Sequence, residues 1–249
     1  MIALSLFSGC GGLDYGFEKA GFNVCFHNDF DRHSCATLAL NNKENVVEAP
    51  IEELSTREVY KYSGSGKKVI DVLFGGPPCQ PFSKSSYWVN GKAARLNDPR
   101  ANTLEHYFRF VEELKPKVFL LENVHGLNYN GKEEGFRYIL KRISEINSRH
   151  NLNYMPSWKV LNVADYGVPQ IRVRFFLIAE INGRSFDFPS PTHTHIKNVQ
   201  YKLLEKNIER PYVNAWDAIG HIPEDESQNL TVGGKWGELL PSIPEGENY

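Results

Sequence analysis

The sequence predicts an α/β domain built on a mostly parallel, twisted sheet with helices on both faces, and three observations lead there. Strand-length apolar runs alternate with helix-spaced segments from residue 2 to about residue 181. A glycine turn follows the first strand directly, and chemistry-bearing residues recur just past the strands, at the edge where such sheets bind ligands. Residues 2 to 7 read as the first strand, Ser8-Gly9-Cys10-Gly11-Gly12 as a turn, and Leu13, Phe17 and Ala20 as one face of a helix that Gly21 ends. Phe22 to His27 is the second strand, a helix follows over about residues 32 to 41, and Val46-Val47 marks a short third strand. After a polar stretch, Val69 to Phe74 reads as a buried strand. Thr103 to Lys115 then sets Leu104, Tyr107, Phe108, Val111 and Leu114 on one helical face, and Lys117 to Leu121 is the next strand. Phe136, Ile139, Leu140, Ile143 and Ile146 mark another helix, before strands at Trp158 to Val163 and Arg174 to Ile181. From Ser190 the pattern dissolves, with helices expected only near Tyr201 to Ile208 and Ala215 to Ile219. Residues 1 to 189 therefore read as one domain and 190 to 249 as a connecting segment.

Composition excludes several classes. Apolar residues are 41% and charged residues 23% of the 249, with a mean hydropathy of −0.42, which is ordinary for a folded chain and unlike a disordered or collagenous one. No apolar run approaches the ~20 residues needed to span a bilayer, so no membrane segment is expected. The apolar start at Met1 to Phe7 lacks a basic leader and breaks into glycines, so it reads as a strand rather than a secretory signal, and the chain as cytoplasmic. Cys10, Cys25, Cys35 and Cys79 are too few and scattered for a disulfide framework and form no C-x-x-C pair. His193-Thr194-His195 alone reads as a polar loop, and no metal site is expected. The net charge of −2 hides an asymmetry. Residues 221 to 249 hold six acidic groups against Lys235, so the 28 basic and 30 acidic groups of the whole leave 27 and 24, or +3, in residues 1 to 220. That is weak support for a polyanion partner.

The first turn is not a full dinucleotide fingerprint, because the third glycine of G-x-G-x-x-G would fall at Asp14, so a nicotinamide site loses ground. Gly9, Gly11 and Gly12 still suit close approach of a ligand, and Asp29, 20 residues beyond Gly9, either accepts ribose hydroxyls or caps the following helix. The stronger signal is Gly75-Gly76-Pro77-Pro78-Cys79-Gln80-Pro81-Phe82-Ser83, just past the fourth strand. Glycines and three prolines fix an irregular backbone around one cysteine at the ligand edge, whereas Cys10, Cys25 and Cys35 read as inert core residues. A free thiol near pKa 8.5 is only a few per cent thiolate at neutral pH, so such a site must supply activation. Leu120-Leu121-Glu122-Asn123-Val124 places Glu122 at the next strand end, as a general acid or as an ion-pair partner. Gln170-Ile171-Arg172-Val173-Arg174 alternates, which predicts Gln170, Arg172 and Arg174 on one strand face. Residues 80 to 100 form a ~20-residue link without periodicity, carrying Lys84, Lys92, Arg95 and Arg100 with Ser83 and Ser85, and suit a lid over phosphates.

Phe7-Ser8-Gly9-Cys10-Gly11-Gly12-Leu13, Pro77-Pro78-Cys79-Gln80-Pro81-Phe82-Ser83, Glu122-Asn123-Val124 and Gln170-x-Arg172-x-Arg174 resemble, in order and spacing, the motifs of the DNA cytosine-5 methyltransferase family. The resemblance runs from residue 2 to at least 180, and Trp236 to Tyr249 resembles the stretch before that family's target-recognition region. It implies a Rossmann-like fold that uses S-adenosyl-L-methionine and releases S-adenosyl-L-homocysteine. It also implies double-stranded DNA as partner and methylation of carbon 5 of a flipped-out cytosine within a restriction-modification system. Under that resemblance Cys79 attacks carbon 6, Glu122 protonates or hydrogen-bonds ring nitrogen 3, and Arg174 and Arg172 hold the base or its phosphate. Gln80, Ser83, Ser85, Arg100, Asn123 and Gln170 fall on the substrate side. Phe7, Ser8, Gly9, Cys10, Gly11, Gly12, Asp29, Phe30, Ile51, Gly76 and Pro78 fall on the cofactor side. One departure stands out: the family's adenine-binding Asp is Pro50 here, leaving Glu48 or Glu52 as substitutes. The target-recognition region and two late motifs are not in this sequence, which predicts either an N-terminal fragment or, as the favoured reading, the larger subunit of a split enzyme with a smaller partner. The alternatives are a transfer-RNA cytosine-5 methyltransferase and a catalytically silent scaffold subunit.

Overall fold

The computed structural model describes residues 1–41, 43–62, 69–78, 102–125, 134–195, 210–223 and 232–243. Cys79 and the whole expected lid fall outside these residues, as does the helix expected at 201 to 208.

The chain divides into two units, Met1–Leu161 with Val173–Pro189, and Asn162–Arg172 with Ser190–Tyr249. The sheet comprises β1 (Ile2–Leu6), β2 (Asn23–Asp29), β3 (Val46–Glu48), β4 (Val72–Gly75), β5 (Val118–Val124), β6 (Met155–Asn162) and β7 (Val173–Glu180), in the order β3-β2-β1-β4-β5-β7-β6. Neighbours from β3 to β5 are parallel, and β7 runs antiparallel to β5. The connecting helices are α1 (Gly12–Lys19), α2 (Arg32–Leu40), α3 (Thr56–Tyr62), α4 (Asn102–Leu114) and α5 (Glu134–His150).

Near-continuous apolar runs such as β1 and β4 put apolar side chains on both faces of the sheet and so demand cover on both. Leu4, Leu6, Phe26, Leu73, Phe119, Leu121, Phe175 and Leu177 face one way, against Tyr107, Phe108 and Val111 of α4 and Ile139, Ile143 and Ile146 of α5. Ala3, Val24, Val72 and Phe74 face the other way, with Leu13 and Phe17 of α1 over them. Phe17 stacks on Phe74 with ring centroids 4.1 Å apart. Both helical layers are thus pinned to the sheet by aromatic burial, worth about 1.5–3 kcal/mol for each fully buried side chain.

In the second unit the 3-10 turn Val163–Tyr166 ends at Gly167, and two short strands, β8 (His193–Thr194) and β9 (Arg210–Pro211), pair in parallel. His193-Thr194 is therefore strand rather than the expected loop. Among the described residues no group of His, Cys, Asp or Glu could hold a metal ion. Two helices follow, α6 (Ala215–Ile219) and α7 (Gly234–Leu239). Asn214 and Asp217 form a reciprocal cap at the start of α6. No helix among the described residues is long and apolar enough to cross a membrane.

The register levels the strand ends. Leu6 pairs with Asn28 and with Gly75, and Gly75 pairs with Leu121. The next residue of each strand path, Phe7, Asp29, Gly76 and Glu122, consequently forms one row at the carboxyl edge. The connectivity reverses direction between β1 and β4, and this switch point is where open α/β sheets leave a ligand crevice.

Candidate active site

The glycine turn after β1 is held from three sides by the end of β2. Ser8 N–H donates to the Asn28 carbonyl (2.9 Å), and Gly9 N–H donates to Asp29 Oδ2 (2.8 Å). Ser8 Oγ lies 2.7 Å from Ser5 Oγ, and the Asn28 N–H donates to it at 3.2 Å. These bonds hold Phe7 at φ 54, a left-handed conformation that a bulky L-residue adopts only under constraint. The strand therefore ends at Leu6, one residue earlier than its apolar pattern suggests. Asp29 is not the helix cap. That role belongs to Asp31, whose Oδ1 accepts from Ser34 N–H at 2.7 Å and whose carboxyl is held below the usual carboxylate range by that bond. Asp29 Oδ1 accepts from Asp31 N–H (2.9 Å), so each Asp29 oxygen has one backbone donor and keeps a further lone pair. Phe30 beside it is 68% exposed, a large apolar ring left in the open next to the turn. Cys10 is also exposed, against the expectation of an inert core thiol, whereas Cys35 is buried. Burial pushes the Cys35 thiol up, and the nearby carboxylates of Asp29 and Glu48 add to the effect.

Beneath the turn lies a pair that the sequence did not announce. Asp14, which displaces the third glycine of a dinucleotide fingerprint, is fully buried in the first turn of α1, and its Oδ1 lies 2.5 Å from His27 Nδ1 on β2. Asn28, next along β2, donates its amide to the Val47 and Ala49 carbonyls (3.1 and 2.8 Å). Three successive β2 residues thus tie the turn, α1 and the segment after β3 together. Ile51 is buried in the core and its carbonyl accepts from Arg109 (2.9 Å).

On the other side of the switch point, Gly75 is small by necessity and Gly76 lies close against Glu122. A Cβ at Gly75 would strike the Leu6 carbonyl, and one at Gly76 would stand 3.0 Å from Glu122 Oε2. The Gly76-Pro77-Pro78 segment is gripped at two points. Asn123 donates its side-chain amide to the Pro77 carbonyl (3.0 Å), and Thr103 Oγ1 donates to the Pro78 carbonyl (2.9 Å). Cys79 and Gln80 follow immediately in sequence, outside the described residues, as do Ser83, Ser85 and Arg100.

Glu122 stands on β5 opposite Phe176, and Arg174 stands opposite Val124, one side-chain repeat away on the same face. The Arg174 guanidinium reaches across, with Nε 3.0 Å from Glu122 Oε1, and both side chains are only about one-fifth exposed. A partly desolvated carboxyl fixed by a guanidinium, with a glycine floor beside it, can present one oxygen to a polar ring edge.

Gln170 and Arg172 do not share that strand face. They precede β7, lie exposed in the second unit, and belong to a loop closed by Arg172 N–H on Asn162 Oδ1 (3.0 Å) and Val163 N–H on the Arg172 carbonyl (3.0 Å). The alternation in the sequence is real, but turn hydrogen bonds rather than a sheet ladder satisfy that backbone.

A family model for C-5 cytosine-specific DNA methylase matches residues 1–242. Type II methyltransferase M.SacI of Streptomyces achromogenes is 31% identical over 99% of this chain and 64% of its own length. Type II methyltransferase M.AquIA of Picosynechococcus is 36% identical over 88% of both chains. A solved structure of an E. coli prophage protein, assigned as a DNA modification methyltransferase, superposes with a TM-score of 0.66 at 26% identity, over 99% of this chain and 66% of that one. This chain thus spans somewhat less than two thirds of M.SacI and most of M.AquIA. With the sheet order, the glycine turn and the Glu122–Arg174 pair already pointing the same way, the chain belongs to the C-5 cytosine-specific DNA methylase family.

Proposed function

We propose that this chain transfers a methyl group from S-adenosyl-L-methionine to carbon 5 of a cytosine extruded from double-stranded DNA, through a covalent adduct between Cys79 and carbon 6. The observation that carries this reading is the Glu122–Arg174 pair beside Gly76, in the same row of strand ends as the turn held by Asp29.

The residues at the first turn fit the cofactor. Phe7, Ser8, Gly9 and Gly11 offer backbone at close range, Asp29 keeps acceptor capacity for two ribose hydroxyls, and Phe30 offers an exposed ring for the adenine. S-adenosyl-L-methionine, when bound, supplies an electrophilic methyl. Carbon 5 of cytosine is a weak nucleophile, so the chain's own groups must raise its electron density. The Cys79 thiolate adds to carbon 6, forming the S–C bond, while Glu122 donates a proton to ring nitrogen 3 and so keeps charge from building on the ring. Arg174 fixes the carboxyl in the orientation from which it donates. Carbon 5 takes the methyl, leaving S-adenosyl-L-homocysteine; a water molecule acting as base removes the carbon-5 proton, the freed electron pair expels Cys79 as thiolate, and ring nitrogen 3 returns its proton to Glu122. General acid assistance of this type contributes ~10²–10⁴-fold. Extrusion of the base costs a few kcal/mol, which the basic residues between Gln80 and Arg100, with Ser83 and Ser85, help to offset through phosphate contacts.

We assign residues 1 to 189 to catalysis and residues 190 to 249 to a link toward target recognition, and pair the chain with a smaller polypeptide that carries recognition. The +3 balance of residues 1 to 220 supports this, because site-specific DNA binding needs more focused positive charge than this chain brings. The test incubates the chain with tritiated cofactor and either duplex DNA or transfer RNA, then separates the nucleosides. Label in 5-methyldeoxycytidine is expected; label confined to transfer RNA, to adenine or to the cytosine amino group overturns the reading. Full site-specific activity from this chain alone overturns the partner.

A further inference from the structure

The strand ends are held in place by one helix. Three side chains of α4 reach main-chain carbonyls in three different parts of the site. Thr103 Oγ1 donates to Pro78 O (2.9 Å), one residue before Cys79. Tyr107, fully buried, donates its hydroxyl to Leu120 O (2.7 Å), two residues before Glu122. Arg109 Nη2 donates to both Ile51 O and Leu54 O (2.9 Å each), closing the turn that follows β3 on the adenine side.

Each bond crosses a long sequence separation, 25 residues for Thr103, 13 for Tyr107 and 58 and 55 for Arg109, so none is an incident of local helix geometry. Tyr107 and Phe108 lock α4 against Phe119 of β5, edge to face, at centroid separations of 6.4 and 6.1 Å. The helix is therefore a rigid bar with one anchor at the segment entering the nucleophile and another, nearly two turns away, at the cofactor's turn. The two anchors differ in kind. A hydroxyl makes one bond to a loop whose backbone is otherwise set by prolines and by Asn123. A single guanidinium nitrogen, Nη2, bridges the Ile51 and Leu54 carbonyls while Nε lies 3.3 Å from His106 Nδ1, so the planar group is held in one orientation.

We propose that Thr103 and Arg109 are positioning residues that serve the two halves of the site separately: Thr103 sets the approach of Cys79, and Arg109 sets the turn that receives the cofactor's adenine end. The inference rests on the methyltransferase reading above.

The test uses the full chain and two readouts that do not depend on turnover. One is the dissociation constant of S-adenosyl-L-homocysteine by titration calorimetry. The other is the alkylation rate of Cys79 by iodoacetamide, mapped by mass spectrometry and normalised to exposed Cys10. Thr103→Val removes the hydroxyl at constant volume and should raise the Cys79 rate at least fivefold while leaving the dissociation constant within twofold; Thr103→Ser should restore the rate. Arg109→Gln should weaken S-adenosyl-L-homocysteine about tenfold and leave the Cys79 rate within twofold, with Arg109→Lys intermediate. Melting temperatures of all four variants separate misfolding from repositioning. Equal effects of both substitutions on both readouts, or no effect of either, overturn the inference. Failure of the unaltered chain to bind S-adenosyl-L-homocysteine would instead sink the cofactor reading, whatever the variants do.

Discussion

The buried Asp14–His27 pair gives the most quantitative handle on how the glycine turn is held. Asp14 is 0% and His27 1% exposed, Oδ1 and Nδ1 are 2.5 Å apart, and Asp14 Oδ2 has no hydrogen-bond partner among the described residues. Replacing His27 by Ala strips the carboxylate of its partner in a place that water does not reach. Breaking a buried pair in this way costs about 3–5 kcal/mol. At ~2–4 °C per kcal/mol for a chain of this size, the melting temperature should fall by roughly 6–20 °C. Asp14→Ala alone should cost about 3 kcal/mol, because His27 then loses its acceptor. The double variant buries no stranded group and should cost about 4 kcal/mol rather than the sum, a coupling of about 3 kcal/mol. Urea unfolding of the four proteins, followed by far-ultraviolet circular dichroism, measures each number. Additivity within about 0.5 kcal/mol would show that the two side chains do not depend on each other.

Three further outcomes follow from named contacts. Gly75→Ala drives a methyl into the Leu6 carbonyl and should cost about 1–3 kcal/mol in thermal unfolding, whereas an unchanged melting temperature would deny the close approach of β4 to β1. Asn123→Ala leaves the Pro77 carbonyl and the Val124 N–H without their partner, so unfolding by urea should show a loss of about 2 kcal/mol, and a loss under 0.5 would contradict that bonding. Asp71 accepts from Lys117 Nζ (2.6 Å) and from Ile2 N–H (2.7 Å), and the Lys117 bond, outweighing burial, holds its carboxyl below the usual range. A depressed native value means the stabilisation is complete above the ordinary carboxylate range and fades as pH falls through that native value. Lys117 is half exposed, so Asp71→Asn should cost only about 1 kcal/mol at pH 7, and the difference from the unaltered chain should vanish in acid; a constant difference across pH would refute the assignment.

The alternating pattern was legible where one sequence period governs the packing. Val69 to Phe74 and the stripe Leu104, Tyr107, Phe108, Val111 and Leu114 announce β4 and α4, although the strand begins only at Val72 and Val69 is exposed. Helix α3 was not legible: among its residues 56 to 61 only Val59 is fully buried, so the segment carries no stripe and reads as a polar stretch. The pairing of β8 with β9 is set by tertiary contact over two residues each, too short for any period. Gln170 to Arg172 shows the opposite failure, a period of two that turn bonds override before β7 begins at Val173. At the site, Glu122, Arg174, Asp29 and the glycine turn stood out because their residue types carry chemistry. Thr103, Arg109, His27 and Asn28 did not, since each acts on a carbonyl or carboxylate distant in sequence that only the fold brings near. The one weak signal was Asp14 in a glycine's place, which pointed away from a nicotinamide site without naming its partner.

The decisive event of the proposed mechanism is bond formation between the Cys79 sulfur and carbon 6 of cytosine. Its most direct test is a duplex carrying 5-fluorocytosine, incubated with the chain and cofactor and then resolved under denaturing conditions, with the cross-linked peptide sequenced by mass spectrometry. Fluorine at carbon 5 blocks the final elimination, so a stable adduct mapped to Cys79 should accumulate and should be lost in Cys79→Ser. An adduct on another residue, or undiminished methylation of ordinary DNA by Cys79→Ser, would contradict the account.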